Sequence, residues 1–279
     1  MVPFRVRERH PTLPGFGLTL GITVSYLGAM VILPLAAFTT FLASGTGWST
    51  LWEPRVWSAI RLSLGSALAA AMVDAVLGFV VAWVLVRYTF PGRGFLDALV
   101  DLPFALPTAV SGIALTALFA PGSWLGAITE QWGFSLAYTR WGILIAMIYI
   151  GLPFVVRTLQ PAIADLPSDW EEAAASLGAG PIVTFWRVTF PSLRPALLTG
   201  MSLAFARAVG EYGSIIFIAG NLPHRTEIAP LLIVIKLEQY DYHGAAVIAA
   251  IMLLASLGIL VTINALHNWQ LRWQEGSVA

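Results

Sequence analysis

The stretch WEEAAASLGAGPIVTFWRVTFP, Trp170 to Pro191, combines carboxylates, small residues and two prolines, and it stands between two of the longest apolar regions of the chain. Ser168 followed by Glu171 has capping-box spacing, so the sequence predicts a helix beginning at Asp169 with its first-turn carboxylates at the positive end of the dipole. Trp170, Ala173, Ala174 and Leu177 then share one face. Gly178 and Gly180 end that helix, Pro181 suits the first turn of another, and Pro191 stops the second. Two short helices meeting at a glycine elbow have two uses. Either the loop packs on the ends of its own helices, or the small residues Ala173, Ala174, Gly178 and Ala179 leave room for a groove or backbone of another molecule.

Around this loop the chain is far more apolar than a soluble domain. Hydrophobic residues make up 58% and charged residues 11%, against about a quarter charged in ordinary globular chains. With a mean hydropathy of +0.79, it reads as an all-α, polytopic integral membrane protein. Zero formal net charge argues against a nucleic-acid partner, which calls for a basic face. The absence of cysteine removes disulfide and thiolate chemistry, and the four histidines show no His-x-x-x-His spacing, so no metal site is expected. A phosphate-binding P-loop needs lysine followed by Ser or Thr. The single lysine, Lys236, is followed by Leu237, so this chain binds no ATP through such a loop and any motor is a separate polypeptide.

A membrane-crossing helix needs about 20 apolar residues. Six regions qualify: Phe16 to Ala43, Ser58 to Val86, Leu102 to Ala120, Trp141 to Leu159, Pro195 to Gly220 and Gly244 to His267. The fourth crosses only if Arg140 and Arg157 reach outward at its ends. The patch Ile228 to Ile235 is too short to cross and reads as an external or re-entrant segment. The first region follows Arg5, Arg7 and Arg9, as a secretory leader would, but its length favours a retained span. Six spans put both termini on one side, together with Arg87, Arg93, Arg157, Arg187, Arg194 and Arg272. Arg55, Arg61, Arg140, Arg225 and Lys236 fall on the other. The basic excess makes the termini cytoplasmic, and it makes Gln160 to Arg194 the longest internal loop.

Three ionisable residues fall inside the spans. Arg207 and Glu211 lie one turn apart in the fifth, and Asp74 lies near the middle of the second. Each costs about 3 kcal/mol at a helix centre unless it is paired or faces water. Arg207 and Glu211 are an internal ion pair or part of an ion path, whereas Asp74 fits a neutral or hydrogen-bonded packing role better. Gly200, Ala204 and Ala208 form a small-residue ridge suited to close helix approach, within the bundle or against a second subunit. Pro103, Pro107 and Pro153 interrupt or kink the third and fourth spans.

Glu172-Ala173-Ala174, then Gly178, then Val188-x-Phe190-Pro191 resemble the EAA loop of bacterial ABC importer permeases, with Val and Phe at positions usually held by Ile and Leu. FPGRGFLDALVDLPFALPTAVSG from Phe90, GLPFVVRTLQP from Gly151 and FARAVGEYGSIIFIAGN from Phe205 are similar to the T-type sulfate/thiosulfate permease family. The molybdate permeases share the fold and an Arg-x-x-Gly-Glu segment, which leaves molybdate or tungstate as the alternative cargo. The resemblance implies a single permease domain over residues 1–279 with a coupling loop at about 162–194. Glu171, Glu172, Ala173, Ala174, Gly178, Ala179 and Pro191 would meet the ATPase, and Arg207, Glu211 and Asp74 are candidates for the translocation path. The implied partners are two ATP-binding subunits that hold the ATP, a second permease subunit of the W type, an external sulfate- or thiosulfate-binding protein, and the lipid of a bacterial cytoplasmic membrane. An ion-coupled carrier working alone, with Asp74 and Glu211 as its proton or cation sites, is the competing class; it would need no such loop.

Overall fold

The computed structural model describes residues 16–43 and 47–276, and every regular element in them is helical. In chain order these are α1 (Phe16–Ala43), α2 (Pro54–Arg87), α3 (Arg93–Val100), α4 (Leu102–Ala105), α5 (Thr108–Phe119), α6 (Trp124–Gln131), α7 (Arg140–Ala164) and α8 (Ser168–Ser176). They continue with α9 (Pro181–Thr184), α10 (Phe190–Val209), α11 (Ile215–Ile218), α12 (Ala229–Glu238) and α13 (Tyr242–Gly276). Arg5, Arg7 and Arg9 lie outside the described residues.

Helices α1, α2, α7 and α13 are each long and apolar enough to cross a bilayer, and α5 with α6, bent by 49°, is a broken span or a re-entrant loop. The expected fifth region does not form one helix. Its apolar character continues to Gly220, but α10 ends at Val209 with Gly210 as its C-cap, and a new turn, α11, starts only at Ile215. The third region is likewise split. Leu106 is extended (φ −92°, ψ 137°), as expected of a residue before proline, and Pro107 caps the new helix α5. Pro153 and Pro161, by contrast, are absorbed inside α7. That helix runs five residues past the expected Leu159.

The core is a three-helix packing of α2, α7 and α10, made close by small residues. A Cβ on Gly78 would lie 2.7 Å from Val155 Cγ1, and one on Gly200 would lie 2.9 Å from Val155 Cα. Gly200, Ala204 and Ala208 are all buried, so the expected ridge is used within the bundle. Around this core, α12 packs its Ala229, Leu231 and Leu232 inward against α13 and α2. Helix α1 is exposed along nearly its whole length and packs chiefly along α13.

The two ends of the bundle carry separate sets of ion pairs. At the start of α2, Arg55 reaches both oxygens of Glu227, at 2.7 and 2.5 Å, and Lys236 joins Glu53 and Asp241. At the other end, Arg87 pairs with Glu171, and Arg157 pairs with Asp97 and Asp101 at 2.7 and 2.6 Å. Arg157 thus meets carboxylates at this end of the bundle. The hydrogen bond from Gln160, followed by that from Arg157, holds the Asp97 carboxyl below the usual carboxylate range.

Candidate functional site

The loop after α7 forms the predicted elbow, with two local differences. Helix α8 ends in a Schellman motif: Ala179 N–H donates to Ala174 O at 3.0 Å and Gly178 N–H to Ala175 O at 2.9 Å, with Gly178 at φ +81°. Its start differs from the expected capping box. The helix begins at Ser168 behind Pro167, and no side chain caps it. Glu171 instead accepts from Arg87 at the end of α2 and from Thr189 Oγ1 at 3.3 Å. A guanidinium one helix away is the stronger donor for that carboxylate.

Nor does Pro191 stop a helix. Residues Phe185–Thr189 form a five-residue π turn, in which Phe190 N–H reaches Phe185 O, and α10 begins directly after it. Pro191 has no N–H to give and its ring would crowd the preceding turn, so widening that turn lets the helix continue. The wide turn carries an aromatic cluster onto α2. Phe185 and Phe190 meet Phe79 at 5.9 Å each, Phe185 meets Trp83 at 5.8 Å, and Arg87 lies 4.9 Å above the Trp83 ring. Each such pair contributes about 1 kcal/mol beyond its burial. Phe190, part of the motif read from the sequence, is therefore an anchor. Arg87, Phe79 and Trp83 were not foreseen, because they are 84 to 111 residues away from their loop partners in sequence and joined to the loop only by the fold.

The anchoring sorts the loop residues by face. Glu171 is turned inward, whereas Glu172, Ala173 and Gly178 are exposed and Ala174 and Ala179 are half-buried. Trp170, Leu177, Ile182 and Trp186 are also exposed, Leu177 to 89%. The outward face is apolar, small-residued and rigidly backed, which suits a docking surface for another protein.

The breaks after α4 and after α10 meet. A Cβ on Gly112 of α5 would press on Ser214 O and lie 2.7 Å from Ser214 Cα, and one on Gly213 would press on the Thr108 hydroxyl. Arg207 and Glu211 stand at this meeting point. Arg207 Nη1 donates to Glu211 Oε2 at 2.5 Å, and Glu211 Oε1 accepts from Ser214 N–H at 2.9 Å and Ser214 Oγ at 3.0 Å. Glu211 is thus buried and fully used, closing the break by capping its far side. The Arg207 side chain keeps a third of its surface exposed.

Asp74 is not brought to that site. It is 1% exposed, enclosed where α2 meets Gly151 of α7, and neither carboxyl oxygen has a hydrogen-bond partner among the described residues. An ionised carboxylate left unpaired there would cost several kcal/mol. Asp74→Asn, which keeps the volume and removes the charge, is therefore expected to leave expression and uptake within about two-fold of the parent. A loss of uptake beyond ten-fold at normal expression would give Asp74 a charged role.

Known proteins match this arrangement over nearly its whole length. Residues 74–274 match the sequence model of the binding-protein-dependent transport system inner membrane component. The sulfate transport system permease protein CysT of Synechococcus elongatus is 48% identical over 251 residues, covering 89% of this chain and 90% of that protein. The protein of the same name from Escherichia coli K12 is 43% identical over 269 residues, covering 95% and 96%. Among solved structures, a bacterial ABC transporter involved in import of the acidic polysaccharide alginate shares the fold, with a TM-score of 0.72 at 15% identity over 90% of this chain and 93% of that one. The matched residues run from α2 into α13 and take in both breaks and the anchored loop, and the chain belongs to the family of binding-protein-dependent transport system inner membrane components.

Proposed function

We propose that this chain is the membrane-spanning permease subunit of an ATP-driven importer of sulfate or thiosulfate. It works with two ATP-binding subunits, a second permease subunit of the W type and an external binding protein, and its termini face the cytoplasm. The observation that carries this reading is the α8 elbow, which is exposed and apolar on one face and bolted to α2 on the other by Arg87–Glu171 and the aromatic cluster. A surface so backed transmits a push to the bundle instead of yielding locally. The names of the CysT relatives support the choice of cargo. The partly exposed Arg207 side chain beside the meeting breaks supports a role for its guanidinium in the anion path, with Glu211 joining it to the Ser214 backbone. Glu211 is already engaged by Arg207 and Ser214, which supports a subunit driven through its loop over an ion-coupled carrier that would titrate that group.

Gly178→Trp tests the docking surface. The position has open space around it but a left-handed backbone, which costs a non-glycine residue about 1 to 2 kcal/mol. The variant is expected to insert in the membrane at near-parent levels while ATP-dependent sulfate uptake and co-purification of the ATPase both fall at least about ten-fold. Uptake and co-purification at parent levels would refute the assignment.

A further inference from the structure

Three arginines from three separate elements line one open cavity of about 840 Å³: Arg61 of α2, Arg140 at the start of α7, and Arg225 in the loop between α11 and α12. Among the described residues, no carboxylate lines it. Three carboxylates at this end of the bundle are already engaged, Glu227 by Arg55 and both Glu53 and Asp241 by Lys236. Among the described residues, Arg61, Arg140 and Arg225 form no ion pair.

The opening is nonetheless firmly built. Leu222 O accepts from the N–H groups of Arg225, Thr226 and Glu227. The carbonyls of His224 and Arg225 in turn accept from Ser58 Oγ at 3.1 Å and Arg140 Nε at 3.0 Å, which ties the loop to both helices. Backbone contacts, not counter-charges, fix the loop that carries Arg225 and hold the Arg140 guanidinium at the mouth.

Like charges gathered in this way repel, and they raise the local concentration of any anion that approaches. A tetrahedral oxyanion supplies the missing charge, because its oxygen edges match the guanidinium fork. The Ser66 hydroxyl on the same wall has no protein partner among the described residues and is a further donor. Deeper down the wall is apolar, with Leu62, Ala69 and Leu144. From Pro54 to Ala69 helix α2 rises about 22 Å, so the cavity begins at the helix end and reaches well into the span. Trp57 and Trp141 flank it, as indoles do at a membrane interface.

We propose that this cavity is a binding site for a tetrahedral oxyanion at the end of the bundle opposite the α8 loop. Two sources fit its chemistry: free sulfate, and the phosphate of an anionic lipid whose chains lie along the apolar wall. The sulfate source rests on the import reading above; the site itself rests on the geometry.

The test uses the full chain in phosphatidylcholine nanodiscs with radiolabelled sulfate, and in nanodiscs doped with phosphatidylglycerol. Free sulfate as the ligand predicts saturable binding that chloride does not displace. Arg61→Gln/Arg225→Gln should weaken it at least about ten-fold, and Arg61→Lys/Arg225→Lys should return it to within about three-fold. Arg140 stays in place because it ties down the loop. Lipid phosphate as the ligand predicts that the parent and the lysine pair retain phosphatidylglycerol after extraction and the glutamine pair does not. The glutamine pair behaving like the parent in both arms overturns the proposal. Arginine-dependent binding by a parent that fails to import sulfate in the reconstituted assembly would remove the import reading and leave the site. Normal import with arginine-independent binding would do the reverse.

Discussion

Gly112→Val is expected to reduce the amount of assembled permease at least ten-fold, measured as monodisperse protein recovered from membranes. The residue lies in α5 where the two interrupted helices meet, and a Cβ there would press on the carbonyl oxygen and Cα of Ser214. Both are backbone atoms, so no rotamer change relieves the clash and one of the two segments must move. Overpacking costs typically 1 to 3 kcal/mol, and about 1.4 kcal/mol is a factor of ten. Gly213 gives the internal comparison. Its added Cβ would meet the Thr108 side chain, which can turn away, so Gly213→Ala is expected to lose less than Gly112→Val. Equal recovery of Gly112→Val and the parent would mean that the breaks are not in the contact described.

The second large effect is expected at Arg207 and Glu211, and the two should fail differently. Glu211 spends one oxygen on Arg207 and the other on Ser214, so Glu211→Ala removes the cap of the broken segment as well as the partner of a guanidinium. Recovery should fall about ten-fold, and uptake with it. Arg207 is a third exposed, and its loss leaves Glu211 the two bonds from Ser214. Arg207→Ala should therefore cost recovery less than about three-fold, while uptake per recovered molecule falls at least ten-fold if the guanidinium faces the moving anion. The double variant Arg207→Leu/Glu211→Gln keeps an acceptor for Ser214 and leaves no unpaired charge. Normal uptake by that variant would reduce Arg207 to a packing role.

Much of this was legible in the chain, for identifiable reasons. Apolar runs report where the backbone is shielded from water, so α2 and α7 came within about five residues of their observed ends and α13 came close to its observed start. The Gly178 elbow was legible because a left-handed backbone position favours one residue type. What hydropathy does not report is backbone geometry inside the membrane. Pro195 to Gly220 reads as one span, yet the helix stops at Val209, because Glu211 and Gly213 find partners in Ser214 and in α5 that no local pattern encodes. The capping-box spacing of Ser168 and Glu171 failed for a related reason. A carboxylate at that spacing serves its own backbone or a distant arginine equally well, and Arg87 was the better donor. Arg207 and Glu211 were found as a pair from their one-turn spacing, but Glu211's second role needed the break to be seen.

The pairing of Arg157 with Asp97 and Asp101 also has a consequence for the order in which the chain can be built. The two carboxylates precede their arginine by 60 and 56 residues, so during synthesis they emerge well before the group that neutralises them. Until α7 arrives, the α3 segment carries two carboxylates without the arginine that binds them both, and water is the better place for them. Its docking is therefore a late step in biogenesis, timed by the insertion of a helix that lies two spans' worth of chain downstream.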